Sequence, residues 1–270
     1  FVMLLCYARL IGKRVLWTAH NLYPHDLSSI KGMHRLARLI LVKLTTRIFV
    51  HGPTAATIFK REFGVSNSKI SIIKHGNWID YYPSGVTKNE ARAKLEIDEN
   101  QYVFLFFGLC KKYKNIHELV SVISRLDTGV KLLIAGRFDD PEYYSKIINI
   151  VDGMDNKRVR IDAWYIPDGE LQNYVLACDA VVLPYLESLT SGAAVAALGF
   201  GRPVVAPRMG YLNDIISEKN GILYNSDNKD GLLISMTAIR GRTYSSKEIK
   251  KFARTLSWDS AVNSIRDNIV

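Results

Sequence analysis

The chain has 270 residues, a length that fits one large domain or two α/β halves and allows a sizeable buried core. Apolar residues make up 48% of it, which indicates a folded globular protein rather than a disordered one. The net charge of +10 points to an anionic partner, but the basic residues are dispersed, so a nucleic-acid-binding tail is not indicated. Three scattered cysteines argue against a disulfide framework or a zinc site and fit a reducing cytosol.

The apolar opening FVMLLCYARLIGKRVLW is shorter than the roughly 18 residues that a membrane span needs. It also lacks a basic segment before its apolar part and a small-residue cleavage site, so a secretory signal is not indicated. We predict instead a core helix that leads into a strand. Because a complete domain rarely begins on a buried helix, we expect the chain to be a fragment of a longer protein.

Strand-like and helix-like stretches alternate along the rest of the chain, which predicts an α/β fold with parallel sheets and crossover helices. In the helix predicted over residues 115–126, apolar side chains recur at helical spacing and form a single buried stripe. The predicted strands are residues 14–19, 47–51, 70–74, 102–107, 131–135, 158–161, 180–183, 203–206 and 221–223.

A polar, charge-rich stretch over residues 81–101 is typical of a linker with one short helix, and the strand pattern starts again after it. We therefore predict a partial first lobe over residues 1–82 and a fuller second lobe over residues 83–256. We predict a final helix over residues 257–270, with Ser257 as its N-cap, and expect it to pack back toward the first lobe.

The stretch over residues 183–207 contains a strand end, a polar turn, an apolar helix and a second strand. The turn carries Glu187 and the sequence Thr190, Ser191, Gly192. Free N–H groups at the start of a helix favour anions, so this turn can hold a phosphate. An ordinary helix cap is the competing interpretation, since serine and threonine are common at that position.

Three further loops follow predicted strands, and in an open parallel sheet ligands bind beyond the carboxyl ends of the strands. In FFGLCKKYKNI, Gly108 precedes Lys111 and Lys114, which would neutralise a diphosphate or form a solvated basic loop. In LLIAGRFDD, Arg137 either binds phosphate or pairs with a neighbouring aspartate. In DAWYIPDGEL, the apolar parts of Tyr165 and Ile166 suit a nucleobase, although the aromatic rings there could equally be core; Asp168 caps the next helix.

In this order, FFG-x-x-K-x-x-K, IAG, YIPD-x-E-L, ACDAVVLPY, the polar turn and ALGFGRPVVAP resemble the donor-binding half of GT-B glycosyltransferases. The resemblance is strongest to bacterial family-4-like enzymes that build polysaccharides and lipid-linked sugars. Upstream, WTAHN resembles the family's histidine loop at the sugar site, and IIKHGNWID resembles the stretch leading into its interdomain linker. The match covers nearly the whole chain. It implies two Rossmann-like lobes with parallel sheets, the first of them incomplete here.

The implied reaction moves a hexose-type sugar from a nucleotide-diphosphate donor, such as a UDP- or GDP-sugar, to a hydroxyl of a polysaccharide or lipid-linked acceptor. Lys111 and Lys114 would hold the donor diphosphate with the Thr190–Gly192 turn, and neutralising the leaving group would lower the barrier. The family usually works without a metal ion, and no cofactor is expected.

On the sugar side, the resemblance places His20 against the transferred sugar, with Glu187 as the nearby carboxylate. His25 and Asp26 are alternative general-base candidates should the reaction invert stereochemistry. The family's second glutamate is absent, because Val195 or Ala196 stands at its position depending on the alignment, and Leu109 replaces a frequent arginine. Nucleotide identity and the choice between retention and inversion therefore stay open.

Residues 31–47 carry five basic side chains among apolar ones at the spacing of an amphipathic helix. Such a helix either rests on an anionic membrane that presents a lipid-linked acceptor, or faces the core with a solvated basic side. We expect a cytoplasmic location, with peripheral attachment to the inner face of the membrane as an option. Competing functions are a non-catalytic or partial GT-B module that binds nucleotide or a partner chain, and a GT-B-fold nucleotide-sugar epimerase.

Overall fold

The computed structural model describes residues 2–24, 31–154 and 158–267, and its strands form two parallel sheets. The first sheet consists of β1 (Leu16–Thr18), β2 (Arg47–His51) and β3 (Ile70–Ile73), in that order. The second contains, in spatial order, β6 (Val159–Asp162), β5 (Val130–Ala135), β4 (Tyr102–Phe107), β7 (Ala180–Val182), β8 (Val204–Pro207) and β9 (Gly221–Tyr224). The predicted strands are thus confirmed, with ends shifted by one or two residues.

Helices connect the strands and cover the sheets. They are α1 (Val2–Leu10), α2 (Lys31–Leu44), α3 (Gly52–Phe63), α4 (Lys88–Lys94), α5 (Ile116–Arg125), α6 (Pro141–Asp152), α7 (Asp168–Ala177), α8 (Gly192–Gly199), α9 (Leu212–Ile215), α10 (Gly231–Arg240), α11 (Ser246–Arg254) and α12 (Trp258–Asp267). The buried stripe predicted for α5 is confirmed. In the second sheet, chain order reverses between β4 and β7, which creates a crevice at their carboxyl ends.

Each sheet has its own hydrophobic core. The larger core lies around the second sheet, where Phe104, Phe106 and Leu132 are completely buried. The smaller core surrounds the first sheet and includes Phe59. It also includes Leu189, which comes from the loop after β7 of the second sheet. A residue of the polar turn region is therefore anchored in the other lobe.

The prediction of a core helix at the start of the chain is wrong. Helix α1 contains no buried residue, and Met3 and Leu10 are 84% and 85% exposed. The helix packs against α2, which is itself half exposed, so no second layer of the described residues covers its apolar side chains. Helix α2 packs Val42 into the first core and leaves Leu36 exposed. Within the described ranges, no helix is long and apolar enough to cross a membrane.

The charge-rich stretch over residues 81–101 contains the predicted short helix, α4, but this stretch is docked rather than free. Helix α4 packs on α7, and Arg92 is 3% exposed. The Arg92 guanidinium donates to the carbonyl of Ala177 at 3.0 Å and pairs with Asp179 at 2.8 Å. The boundary between the lobes stays a prediction. At the other end, Ser257 accepts a hydrogen bond from the Ser260 N–H at 3.1 Å, as expected of an N-cap, and α12 contacts β3.

Candidate functional site

A cavity of 560 Å³ opens at the carboxyl ends of β4 and β5, at the crevice where chain order reverses. Its wall combines the loops after β4, β5 and β6 with the start of α8 and the segment after β3. Of the sequence-predicted site residues, six line it: Gly108, Lys114, Arg137, Tyr165, Ile166 and Gly192. The topology therefore collects at one place side chains that are dispersed along the sequence.

Lys114 supplies a desolvated positive charge to this cavity. Its Nζ lies 5.7 Å from the ring centroid of Phe106 and 5.6 Å from that of Tyr185. Burial lowers the pKa of Lys114 from 10.5 to about 8; the Cys110 thiol acts in the opposite direction, and the nearby Lys111 lowers the pKa further. No carboxylate of the described residues forms an ion pair with it. Such an ammonium group gains strongly from an anionic ligand.

Two glycines bring the backbone close together beside this charge. A Cβ atom on Gly136 would overlap the carbonyl oxygen of Gly108, so the loops after β4 and β5 touch through their main chains. The Gly108 N–H donates to the carbonyl of Ala135 at 2.9 Å, which continues the parallel ladder into the loop. This packing keeps the cavity floor free of side chains next to Lys114.

The polar turn serves first as a helix cap. The Ser191 hydroxyl, 5% exposed, accepts a hydrogen bond from the Ala194 N–H at 3.2 Å. The Thr190 hydroxyl donates to the carbonyl of His20 at 3.3 Å and so contacts the first lobe. Gly192 and Ala193 line the cavity at the start of α8, where backbone N–H groups have no acceptor within the helix. The cap therefore uses the Ala194 N–H and leaves those of Gly192 and Ala193 at the cavity.

Two other residues that were predicted to bind the donor are less well placed to do so. The Arg137 guanidinium lines the cavity but pairs with Asp139 at 2.9 Å, which was the competing interpretation of the sequence. Lys111 lies outside the cavity lining, at the start of a short 3-10 turn. Its neighbour Lys112 pairs with Asp140 at 2.7 Å. The binding roles of Arg137 and Lys111 stay predictions.

The far end of the cavity is aromatic. Tyr165 is 66% exposed, so it belongs to the surface and not to the core. Sequence reasoning missed Trp78 and Tyr82, which enter this wall from the segment after β3. It also took Asp168 for a helix cap, whereas Pro167 stands at the cap position and Asp168 is the first residue of α7. The available signal was the cluster of aromatic residues in and directly after HGNWID, namely Trp78, Tyr81 and Tyr82. The Tyr81 hydroxyl donates to Asp168 at 2.7 Å.

Histidines stand at the carboxyl ends of all three strands of the first sheet. The ring centroids of His20 and His51 are 5.3 Å apart, and those of His51 and His75 are 5.0 Å apart. Burial, followed by the charges of His75 and His20, lowers the pKa of His51 to about 4. The His75 Nδ1–H donates to the carbonyl of Gly76 at 2.8 Å. The other ring nitrogen of His75 faces the start of α8, 3.9 Å from where a Cβ atom on Gly192 would lie.

Polar contacts hold the two lobes together beside these histidines. The Asp214 carboxylate accepts hydrogen bonds from the backbone N–H of Thr54 at 3.1 Å and from its hydroxyl at 2.6 Å. Gly52, at the start of α3, packs so closely on this carboxylate that a Cβ atom there would overlap it. Glu187 lines a separate cavity of 370 Å³ between the lobes. Asp26, with His25, lies outside the described residues.

Solved structures share this architecture. Sucrose-phosphate synthase from Thermosynechococcus elongatus superposes with a TM-score of 0.82 at 20% identity, over 98% of this chain and 70% of that one. Anabaena Alr3699/HepE, solved in complex with UDP, superposes with a TM-score of 0.80 at 18% identity, over 99% of this chain and 74% of that one. The two Rossmann-like lobes with parallel sheets are those of the GT-B fold.

Residues 87–253, well over half of the chain, match the family of group 1 glycosyl transferases, and the chain belongs to that family. It is similar to the GDP-mannose:glycolipid 4-beta-D-mannosyltransferase of Xanthomonas campestris pv. campestris, with 29% identity over 241 residues, 87% of this chain and 62% of that protein. The D-inositol 3-phosphate glycosyltransferase of Segniliparus rotundus is 24% identical over 223 residues, 75% of this chain and 49% of its own length. The chain thus spans less than two thirds of either relative's length.

Proposed function

We propose that this chain carries the donor site of a hexosyltransferase. The enzyme would move a sugar from a nucleotide-diphosphate donor to a hydroxyl of a polysaccharide or lipid-linked acceptor, without a metal ion. The observation that carries the proposal is Lys114, a desolvated cation at the carboxyl end of β4, opposite the start of α8 in one cavity. A diphosphate would supply the anion that this arrangement favours.

The same groups would assist the reaction. When the bond between the sugar and the diphosphate breaks, negative charge builds on the leaving oxygen. Lys114 and the N–H groups at Gly192 and Ala193 would stabilise that charge in place before the reaction begins. This is electrostatic assistance to the leaving group, and it operates whether the stereochemistry is retained or inverted.

The sugar would lie between the lobes, toward His20 and Glu187. His20 is joined through its carbonyl to the hydroxyl of Thr190, so the first lobe approaches the start of α8 at this point. Glu187 or Asp26 would provide the carboxylate of the reaction. Retention and inversion predict opposite anomers of the product, which nuclear magnetic resonance spectroscopy distinguishes.

The name of the Xanthomonas relative contains a glycolipid acceptor and a nucleotide-sugar donor, GDP-mannose. It therefore supports a lipid-linked acceptor and a nucleotide-diphosphate donor for this chain. The exposed apolar and basic side chains of α2, such as Leu36 and Lys43, support contact with an anionic membrane. We therefore propose a cytoplasmic protein that works at the inner membrane face. Co-sedimentation with anionic and with neutral vesicles tests this: equal binding to both, or none, contradicts it.

Two measurements on the 270-residue chain test the donor site. Nucleoside diphosphates should raise its melting temperature more than nucleoside monophosphates, because the second phosphate would add negative charge for Lys114 to bind. A panel of nucleotide sugars with a lipid-linked acceptor should then give transfer. Binding without transfer would favour the non-catalytic module, and conversion of the donor sugar without an acceptor would favour the epimerase. Failure of every nucleoside diphosphate to bind would refute the donor site.

A further inference from the structure

The aromatic end of the donor cavity carries a feature that the transfer reaction does not use. β6 is separated from β4 by β5, so the two loops that bound the cavity stand two strand spacings apart, about 10 Å. If the diphosphate lies at Lys114, the ribose and base extend from it toward Tyr165 and Ile166, beside Trp78 and Tyr82. Flat aromatic and apolar walls suit a base there.

One carboxylate lines this cavity among the described residues, and it is Asp168. The Tyr81 hydroxyl donates to its Oδ2 at 2.7 Å, and this hydrogen bond and the negative charge of Asp168 raise the pKa of Tyr81. An ionised carboxylate accepts about four hydrogen bonds and donates none. The Tyr81 contact therefore orients Asp168 while leaving it able to accept more.

An oriented carboxylate discriminates among nucleobases by the pattern of donors on their edges. Guanine presents two adjacent donors, N1–H and the N2 amino group, which match two carboxylate oxygens. Uracil presents one N–H between two carbonyl oxygens, and these repel a carboxylate. Adenine and cytosine each place an acceptor nitrogen next to their amino group. Guanine is thus the common base that a single carboxylate binds with two parallel hydrogen bonds.

We propose that Asp168 selects guanine, and that the donor is a GDP-sugar. The proposal rests on the donor site proposed above and names its nucleotide. The position of the family's second glutamate supports it, because on one alignment that position is Ala196, which lines the cavity without any polar group. Recognition of the nucleoside then depends more strongly on its base.

The test compares GDP, inosine diphosphate and UDP by titration calorimetry. Inosine diphosphate differs from GDP only by lacking the N2 amino group, so it isolates one of the two expected hydrogen bonds. We expect GDP to bind about tenfold more tightly than either of the others. This comparison needs no substitution and does not depend on the folding of any variant.

Asp168→Asn then tests the residue. An asparagine replaces one acceptor oxygen by a donor, so the variant should bind GDP about tenfold more weakly than the wild-type protein does. The ratio of its affinity for GDP to its affinity for inosine diphosphate should fall to near one. UDP affinity should not fall. Glu170→Gln is the matched control, since Glu170 also stands in the first turn of α7 but pairs with Lys94 at 2.6 Å, outside the cavity lining. It should keep the preference for GDP.

The outcomes separate the two proposals. Equal binding of the three nucleotides, tighter binding of UDP, or an unchanged ratio in Asp168→Asn would overturn guanine selection and leave the diphosphate site standing. Absence of binding by every nucleoside diphosphate would overturn both. Tyr81→Phe removes the orienting hydroxyl but keeps the carboxylate, and we expect it to weaken the preference for GDP without abolishing it.

Discussion

Replacing Lys114 with methionine should make the ligand-free protein more stable and its donor binding weaker. The pKa of Lys114 falls from 10.5 to about 8 on folding, a difference that corresponds to about 3 kcal/mol. Because the folded pKa is the lower one, the unfolded chain holds the proton more tightly, and the full cost of the charge is present below pH 8. Contacts of the ammonium with two aromatic rings offset about 1 kcal/mol of it. Lys114→Met should therefore raise the free energy of unfolding at pH 7 by about 2 kcal/mol.

Binding should change in the opposite direction. Loss of hydrogen bonds from a charged donor costs about 1.5–3 kcal/mol, so the dissociation constant of GDP or UDP should rise at least tenfold in Lys114→Met. In the wild-type protein, a bound diphosphate raises the pKa of Lys114 again, so affinity should fall as pH increases above about 8. Titrations at pH 8.5 in buffers with different heats of ionisation should show proton uptake on binding, and the variant should show none at this residue.

Lys112→Met is the control for both measurements. Lys112 belongs to the same loop, but its ammonium is exposed and pairs with Asp140 at 2.7 Å. Exposed pairs contribute about 0–1 kcal/mol, so stability and nucleotide binding should change little. Urea unfolding and titration calorimetry on the three proteins decide the matter. The reasoning is refuted if Lys114→Met is less stable than the wild-type protein, or if it binds nucleoside diphosphates equally well.

Three further predictions concern the frame around the cavity. Asp214→Ala removes both acceptors of Thr54 across the lobes and should lower the free energy of unfolding by about 1–3 kcal/mol, measured in urea. Gly136→Ala introduces a Cβ atom that overlaps the Gly108 carbonyl, and it should weaken nucleotide binding in calorimetry as the two loops move apart. The pKa of His51 is about 4 in the folded protein against 6.5 in the unfolded chain, so its contribution to stability is complete above pH 6.5 and is lost as pH falls toward 4. Between pH 7 and pH 5 this contribution should fall by about 2 kcal/mol, and the loss of stability in His51→Leu over that range should be smaller than in the wild-type protein by that amount.

Each of these has a result that contradicts it. A stability change below 0.5 kcal/mol in Asp214→Ala would mean that solvent replaces the Thr54 contacts without cost. Unaltered affinity in Gly136→Ala would show that the two loops can separate without disturbing the cavity. Equal pH dependence in the wild-type protein and His51→Leu would assign the acid sensitivity to other groups.

The strands could be predicted because each is a short β-branched or aromatic run that ends in glycine, proline or a polar turn. Their ends identified the loops that hold Gly108 and Lys114, since parallel strands place these loops on one sheet edge. The opposite wall was not predictable in the same way. Trp78 and Tyr82 come from the segment after β3, and their position depends on how the chain folds back between the lobes.

Periodicity also cannot say what covers an apolar helix. The residues of α1 are as apolar as a core helix requires, yet Leu10 is 85% exposed, because the helix packs mainly against α2 in the part of the chain that the structure describes. For the stretch over residues 81–101, the sequence pattern predicted too much exposure rather than too much burial. Its charge suggested a linker, whereas Arg92 is buried against Asp179, a partner 87 residues away. Long-range ion pairs leave no signal in local sequence.

The anchoring of Leu189 in the core of the first lobe has a thermodynamic consequence. The start of α8 cannot keep its place in the donor cavity unless the residues just before it stay inserted in the other lobe, with Thr190 bonded to His20. Any separation of the lobes must therefore displace Gly192 or break these contacts. The free energy of lobe closure and the free energy of donor binding are then linked, so each should strengthen the other by the same factor.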